Sequence, residues 1–288
     1  MLSNVLNLHA AGPIPLWPHK PPKETTTLAA EKDITSEKDG LIAGQRLIRL
    51  GNVSQPTMEF FPAPIDKNTG ATVMVCPGGG YHILAMDLEG TEVVNWLNSI
   101  GINAVLLKYR VPIRVGRERW EAPLEDAQRA MGLTRSHAKE WGIDPKRIGV
   151  MGFSAGAHLS AVLCSKYEHR IYEPIDAADQ ESCRPDFAML IYPAYLTMEK
   201  ENDKIAPELN ITKDTPPTFL AQTEDDGIHV ECSVYYYLAL KKAKVPAEMH
   251  LYPSGGHGYG LRPTAQTVTS WPKRAEEWMK SMGWLTKK

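Results

Sequence analysis

An α/β architecture is what this sequence predicts: a mostly parallel central sheet, helices on both of its faces, and a small cap formed by loops. Three observations carry it. Apolar runs without polar alternation, at residues 71–76, at 102–108 and in the stretch leading up to Gly152, have the pattern of strands buried on both faces. Segments with helical periodicity lie between them, so strand and helix alternate as a parallel sheet requires. Finally, Gly152-Phe153-Ser154-Ala155-Gly156, a Gly-x-Ser-x-Gly pentapeptide, sits between a β-branched run and an Ala- and Leu-rich helical stretch, residues 155–166.

In chain order, residues 12–22 are rich in proline and the next twenty or so are polar, which reads as an extended surface arm anchored by Trp17. The arm is expected to span residues 1–45 and to pack on a single domain over 46–288, a length that suffices for one large core. Residues 46–50 and 57–61 read as short strands forming the antiparallel start of the sheet, and 62–70 as a turn. Strand 71–76 runs into Pro77-Gly78-Gly79-Gly80-Tyr81. Residues 88–100 form a helix with Val93, Trp96, Leu97 and Ile100 on one face, stopped by Gly101 before strand 102–108. Pro123 stands in the first turn of a helix that reaches Gly142, with Leu124, Ala127, Met131, Thr134, Ala138 and Trp141 at helical spacing. Beyond the pentapeptide helix come strands at 186–192, 218–222 and 247–252 and helices at 231–243 and 265–282. The irregular stretches 111–120, 169–185 and 194–217 are long enough to build the cap.

Composition narrows the partners. The 32 Lys and Arg nearly balance the 34 Asp and Glu, with no long run of one sign, so neither a nucleic-acid groove nor an acidic tail is indicated, and a small neutral molecule is the expected partner. No apolar stretch approaches the ~20 residues that cross a bilayer. The first twelve residues lack a full leader pattern, although Leu8-His9-Ala10 resembles the tail of a trimmed one, so the compartment stays open. Four scattered cysteines, Cys76, Cys164, Cys183 and Cys232, read as free thiols used as small apolar residues. There is no His-Glu-x-x-His, no Gly-x-x-x-x-Gly-Lys and no Gly-x-Gly-x-x-Gly opening a helix, so no metal, nucleotide or other cofactor is expected.

The chemistry lies in an ordered set. A serine hydroxyl needs a base to take its proton and an acid to hold that base in the right tautomer. Ser154, on a strand-turn-helix elbow, is the candidate nucleophile. After strand 218–222 comes the acidic turn Thr223-Glu224-Asp225-Asp226-Gly227, and after strand 247–252 comes Ser254-Gly255-Gly256-His257-Gly258-Tyr259-Gly260. Serine, then acid, then histidine, each at the carboxyl end of a strand, is the order this architecture uses. The N–H of Ala155 and those of Gly79 and Gly80 are the expected oxyanion donors, since bare backbone can approach a developing negative charge there. Tyr81 is expected to face the pocket. His229 and His82 either line its mouth or lie on the surface, and His229 is expected, with Tyr81, to contact the substrate. His158, one turn beyond Ser154, reads as a packing residue under the elbow, and Asp126, Arg129 and Arg135 as structural hydrogen-bonding groups.

These motifs resemble the α/β-hydrolase superfamily, and within it the bacterial acetyl xylan esterase and carbohydrate acetylesterase group. The resemblance runs from about Leu16 to the C-terminus. It rests on Pro15-Leu16-Trp17-Pro18, Cys76-Pro77-Gly78-Gly79-Gly80-Tyr81, Lys108-Tyr109-Arg110-Val111-Pro112, the Asp126-Ala127-Gln128-Arg129-Ala130 helix, residues 142–149, the elbow, and Gly255-Gly256-His257-Gly258-Tyr259-Gly260. It implies a Ser154, Asp225, His257 triad, with Asp225 chosen over Asp226 because similar enzymes use the first of an Asp-Asp pair. It also implies removal of small acyl groups, acetyl above all, from carbohydrate esters. Two residues depart from the group's pattern: Ala157 stands where a glycine is usual, and Pro77 where lipase-like relatives carry histidine. The alternatives are a general short-chain carboxylesterase and, from another class, a non-catalytic binding protein on the same scaffold, which would be expected to have lost part of the set.

Overall fold

The computed structural model describes residues 12–287; the Leu8-His9-Ala10 segment lies outside them. The chain enters on Ile14–Pro15 (β1) and passes Lys32–Asp33 (β2), Arg49–Gly51 (β3), Thr57–Phe61 (β4), Thr72–Cys76 (β5) and Leu84–Ala85 (β6). One wide π-type turn, Asp87–Thr91, leads into Glu92–Ser99 (α1), and Asn103–Lys108 (β7) follows. Next come Glu121–Ser136 (α2), Ala138–Trp141 (α3), Ile148–Phe153 (β8), Ala155–Ser165 (α4) and Ala188–Ile191 (β9). The hairpin strands Thr197–Met198 (β10) and Lys204–Ile205 (β11) precede Thr218–Thr223 (β12), Glu231–Lys242 (α5), Ala247–Tyr252 (β13) and Trp271–Ser281 (α6).

Eight strands form one sheet in the order β1-β4-β7-β5-β8-β9-β12-β13. The β1/β4 and β4/β7 pairs are antiparallel and the remaining pairs parallel, which is the mostly parallel sheet the sequence predicts. Strand alternation assigns the two cores. Met74, Cys76, Val105 and Leu107 face one side with Leu124, Ala127, Ala157, Tyr236 and Leu240 of α2, α4 and α5. Val73, Val75, Ala104 and Leu106 face the other with Val93, Leu97, Trp271, Ala275 and Trp278 of α1 and α6. Each Val, Leu or Met among them contributes about 1.5–3 kcal/mol on burial, so the loops that leave the strands start from a rigid platform.

Three differences from expectation concern the edges. Residues 49–51 do not open the main sheet; they pair with β2 and β6 in a separate three-stranded sheet, and the arm's own β1 takes the edge beside β4. Helix 88–100 begins one turn late because the π-type turn at Asp87–Thr91 carries Leu88, Glu89 and Gly90 inward. The helix expected to reach Gly142 breaks at His137, and Gly142 closes α3 at φ 63°.

The arm is fastened by its tryptophan: Trp17 is buried, meets Tyr172 edge-on at 4.8 Å, and donates from Nε1 to Asp126 Oδ1 at 2.8 Å. Asp126 also receives the Arg110 Nε–H, and Arg129 binds Asp176, so both act as structural groups. All four cysteines are free and buried, and burial pushes the Cys76, Cys164 and Cys232 thiols up to about 12. Among the described residues, no helix is long and apolar enough to cross a membrane.

Candidate active site

Strands β5 and β8 are neighbours, with Cys76 opposite Gly152, so the glycine loop at 77–81 and the elbow leave the sheet side by side. The chain order reverses here, β5 lying between β7 and β8, and open α/β sheets bind ligands at such crevices. Ser154 occupies the turn with φ 51° and ψ −122°, a conformation that costs a non-glycine residue about 1–3 kcal/mol. Its N–H donates to Ile191 O at 3.0 Å, and its carbonyl receives Ala157 N–H at 3.0 Å. Glycines make the turn possible: a Cβ on Gly152 would collide with the Gly156 carbonyl, and one on Gly156 with the carbonyls of Cys76 and Pro77.

The other two loops are neighbours for the same reason. Strands β12 and β13 pair in parallel with Thr223 opposite Tyr252, so the acidic turn and the histidine loop emerge together. His257 stands between Gly256 at φ 64° and Gly258 at φ 74°. Its Nε2 lies 2.8 Å from Ser154 Oγ and its Nδ1 2.9 Å from Asp226 Oδ2. A carboxylate only accepts, so Nδ1 carries the proton and donates to Asp226, which leaves Nε2 to accept from the serine hydroxyl.

The acid is therefore not the one chosen from the sequence: Asp226, rather than Asp225, faces His257. The two carboxylates leave the turn in opposite directions. The Asp226 side chain is fully buried and oriented by Ile228 N–H on Oδ1 at 2.7 Å and Gln222 Nε2 on Oδ2 at 3.0 Å. Asp225 points outward, and its Oδ1 receives the N–H groups of Gly255 at 2.9 Å and Gly256 at 2.8 Å. Those donors, Gly256 first, hold the Asp225 carboxyl below its ordinary range. Asp225 thus pins the backbone just ahead of His257.

The glycine loop lies against the nucleophile. A Cβ on Gly78 would lie 2.8 Å from the Ser154 Cβ, so the glycine loop presses on the nucleophile. The Gly78 N–H is occupied by Glu89 Oε2 at 2.6 Å. Among the described residues, no acceptor bonds the N–H of Gly79 or Gly80. Ala155 opens α4, where first-turn amides have no partner within the helix.

The two expected substrate contacts are placed differently. Tyr81, at φ 64°, turns under the loop: it is 1% exposed, and its hydroxyl donates to His158 Nδ1 at 2.8 Å. Burial holds its own proton well above the ordinary range. His158 is fully buried and passes its Nε2–H to Glu208 Oε1 at 3.0 Å, and desolvation holds the imidazole below 6.5, toward the neutral form. His229 has both ring nitrogens engaged, with Asp203 at 2.5 Å and Glu231 at 3.1 Å, so no polar atom of the ring is left for a substrate. The aromatic beside the glycine loop is instead Tyr195, whose hydroxyl lies 4.0 Å from the Cβ position of Gly80, with the exposed Arg119 guanidinium 4.3 Å over its ring. Neither residue has a sequence signal: Arg119 and Tyr195 fall in two of the three irregular stretches, 111–120 and 194–217.

The profile of a family described as having the alpha/beta hydrolase fold matches residues 73–212. The chain is 29% identical over 244 residues to an acetylxylan esterase of Xylanibacter ruminicola, covering 76% of this chain and 46% of that protein. It is 31% identical over 204 residues to endo-1,4-beta-xylanase B of Butyrivibrio fibrisolvens, covering 65% of this chain and 32% of that protein. The chain thus spans about half of the first curated relative and about a third of the second. Among solved structures, an acetyl ester-xyloside bifunctional hydrolase from Caldicellulosiruptor lactoaceticus superposes with a TM-score of 0.71 at 33% identity, covering 94% of this chain and 96% of that one.

Proposed function

The chain belongs to the α/β-hydrolase family, and from that premise we propose that it is a serine ester hydrolase that removes acetyl groups from carbohydrate esters through an acyl-serine intermediate. One observation carries the reading: Ser154 Oγ, His257 and Asp226 form a continuous hydrogen-bonded chain at the carboxyl edge of the sheet, opposite backbone N–H groups without acceptors.

In the forward half-reaction His257 Nε2 takes the Ser154 proton as Oγ attacks the ester carbonyl. Asp226 accepts from Nδ1–H and stabilises the imidazolium. The N–H groups of Ala155 and of the glycine loop bind the oxyanion, each such donor contributing about 3 kcal/mol in the transition state. His257 then protonates the leaving alcohol, the C–O bond breaks, and the acetyl group stays on Ser154. Water repeats the sequence against the acyl-serine, with His257 as base and Ser154 as leaving group, and acetate is released.

The carbohydrate preference is supported by the names of the relatives, a xylan-directed esterase, a xylanase and an acetyl ester-xyloside hydrolase. Acetate release from acetylated xylan, acetylated xylo-oligosaccharides and p-nitrophenyl acetate, measured side by side for the wild type and Ser154→Ala, tests both parts. The expected result is turnover of all three, with the highest kcat/KM on the oligosaccharides, and none in the variant. Turnover of the synthetic ester alone overturns the carbohydrate reading, and full activity in Ser154→Ala overturns the mechanism.

A further inference from the structure

Behind the site lies a carboxylate that the triad does not use. Glu89, on the π-type turn Asp87–Thr91, is 4% exposed. Its Oε2 accepts the Gly78 N–H at 2.6 Å and its Oε1 accepts the Tyr192 hydroxyl at 2.8 Å. Tyr192 continues the path. Its hydroxyl oxygen accepts the Gly260 N–H of the histidine loop at 3.2 Å, and its ring meets the His257 imidazole at 5.0 Å and an interplanar angle of 67°. The Tyr192 backbone is held at φ 37°, a strained conformation for a bulky residue, and this directs the ring between the two loops.

A buried carboxylate ordinarily lies beside a cation. Among the described residues no Lys or Arg comes within salt-bridge distance of Glu89. The titratable groups that face it are Asp87 from its own turn, His257 across the histidine loop, and the neutral hydroxyls of Tyr192 and Tyr109 from the neighbouring elements. His257 itself faces Asp226, Tyr192 and Ser154. The one group here that becomes a cation during the reaction is therefore His257. Burial holds the Glu89 carboxyl above its ordinary range, against the opposing pull of the Tyr192 and Gly78 donors and the imidazole beside it.

We propose that Glu89 is a positioning residue of the ester-hydrolysis site. It ties the glycine loop to the histidine loop so that the Gly79 and Gly80 amides aim at the oxyanion, and its buried charge favours the imidazolium form of His257. This role rests on the serine-hydrolase reading. The Gly78 peptide touches both Ser154 and Glu89, so fixing its N–H fixes the direction of the two amides that follow. The transition state carries positive charge on His257 and negative charge on the oxyanion, and Glu89 is linked to the imidazole's loop through Tyr192.

The test compares wild type, Glu89→Gln and Tyr192→Phe on p-nitrophenyl acetate across pH, with fluorophosphonate labelling as the measure of competent Ser154. Gln keeps the acceptor for Gly78 and removes the charge. The expected result is a kcat about 10- to 100-fold lower with KM within about threefold, as for loss of a preorganised charge that acts in the transition state. The acid limb of the kcat/KM profile should move to lower pH by about half a unit or more, because the imidazolium loses a nearby negative charge. Tyr192→Phe removes one of the two donors and should lower kcat about two- to tenfold. A purely structural Glu89 would lower thermal stability and leave the acid limb in place. An unchanged kcat and acid limb in folded Glu89→Gln overturn the role; if that variant fails to fold, an unchanged kcat in Tyr192→Phe overturns it. A wild type that neither labels nor turns over overturns the esterase reading and this role with it. A wild type that does both beside an unchanged variant overturns this role alone.

Discussion

Two hydroxyl–imidazole–carboxylate chains cross this molecule within one helical turn of each other: Ser154–His257–Asp226, and Tyr81–His158–Glu208 beneath it. Their hydrogen-bond order is the same and their surroundings differ. The His257 side chain is 27% exposed, on a loop of glycines, and its hydroxyl partner rides a strained turn. His158 is fully buried inside α4, its hydroxyl partner is a phenol packed under the glycine loop, and desolvation opposes any added proton. A relay does chemistry where the imidazole can gain charge and the hydroxyl can meet a substrate. Placed in the core, the same groups act as a brace, here joining the glycine loop, the elbow helix and Glu208 of the irregular stretch 194–217.

The two chains should differ most at Ser154. Ser154→Ala should lower kcat on p-nitrophenyl acetate by about 10⁵- to 10⁶-fold with the folded state unchanged by circular dichroism. Asp226→Asn should lower it about 10⁴-fold, because the neutral amide no longer selects the Nδ1–H tautomer. Asp225→Asn keeps one acceptor for the Gly255 and Gly256 amides, so its loss should stay within about tenfold, which is the cleanest separation of the two aspartates in steady-state kinetics. In the buried chain, Tyr81→Phe leaves His158 Nδ1 without a donor and should cost about 1–3 kcal/mol in denaturant unfolding, while kcat falls only a few-fold.

The smallest effect concerns pH. Burial holds the His158 pKa below its ordinary 6.5, so the unfolded chain binds more protons than the folded one between the two values. Stability from this group is complete above about 6.5 and is lost as pH falls from there through the folded pKa. Thermal midpoints measured from pH 7.5 to 5 should therefore decline, and His158→Gln should flatten the decline.

The strands and the elbow were legible because buried parallel strands and the Gly-x-Ser-x-Gly turn leave patterns in the residues themselves. The limits of β4 and β13 match the expected 57–61 and 247–252, since apolar alternation and flanking turns define them. The choice between Asp225 and Asp226 was not legible. Both follow a strand in the same turn, and only the fold shows which carboxylate turns inward to Gln222 and His257 and which outward to the loop amides. Tyr81 misled for a related reason. Adjacency to the glycines suggested the pocket, but the left-handed backbone at Gly80 and Tyr81 rotates the ring beneath the loop. Glu89 lay within an expected amphipathic helix, and only the π-type turn aims it at Gly78.

We propose that the nucleophile belongs to the exposed chain and not to the buried one. Mass mapping of the protein after reaction with a fluorophosphonate tests it most directly. One adduct per chain on the peptide carrying Ser154, absent in Ser154→Ala and unchanged in Tyr81→Phe, is the result predicted. An adduct elsewhere, or labelling that survives Ser154→Ala, would contradict it.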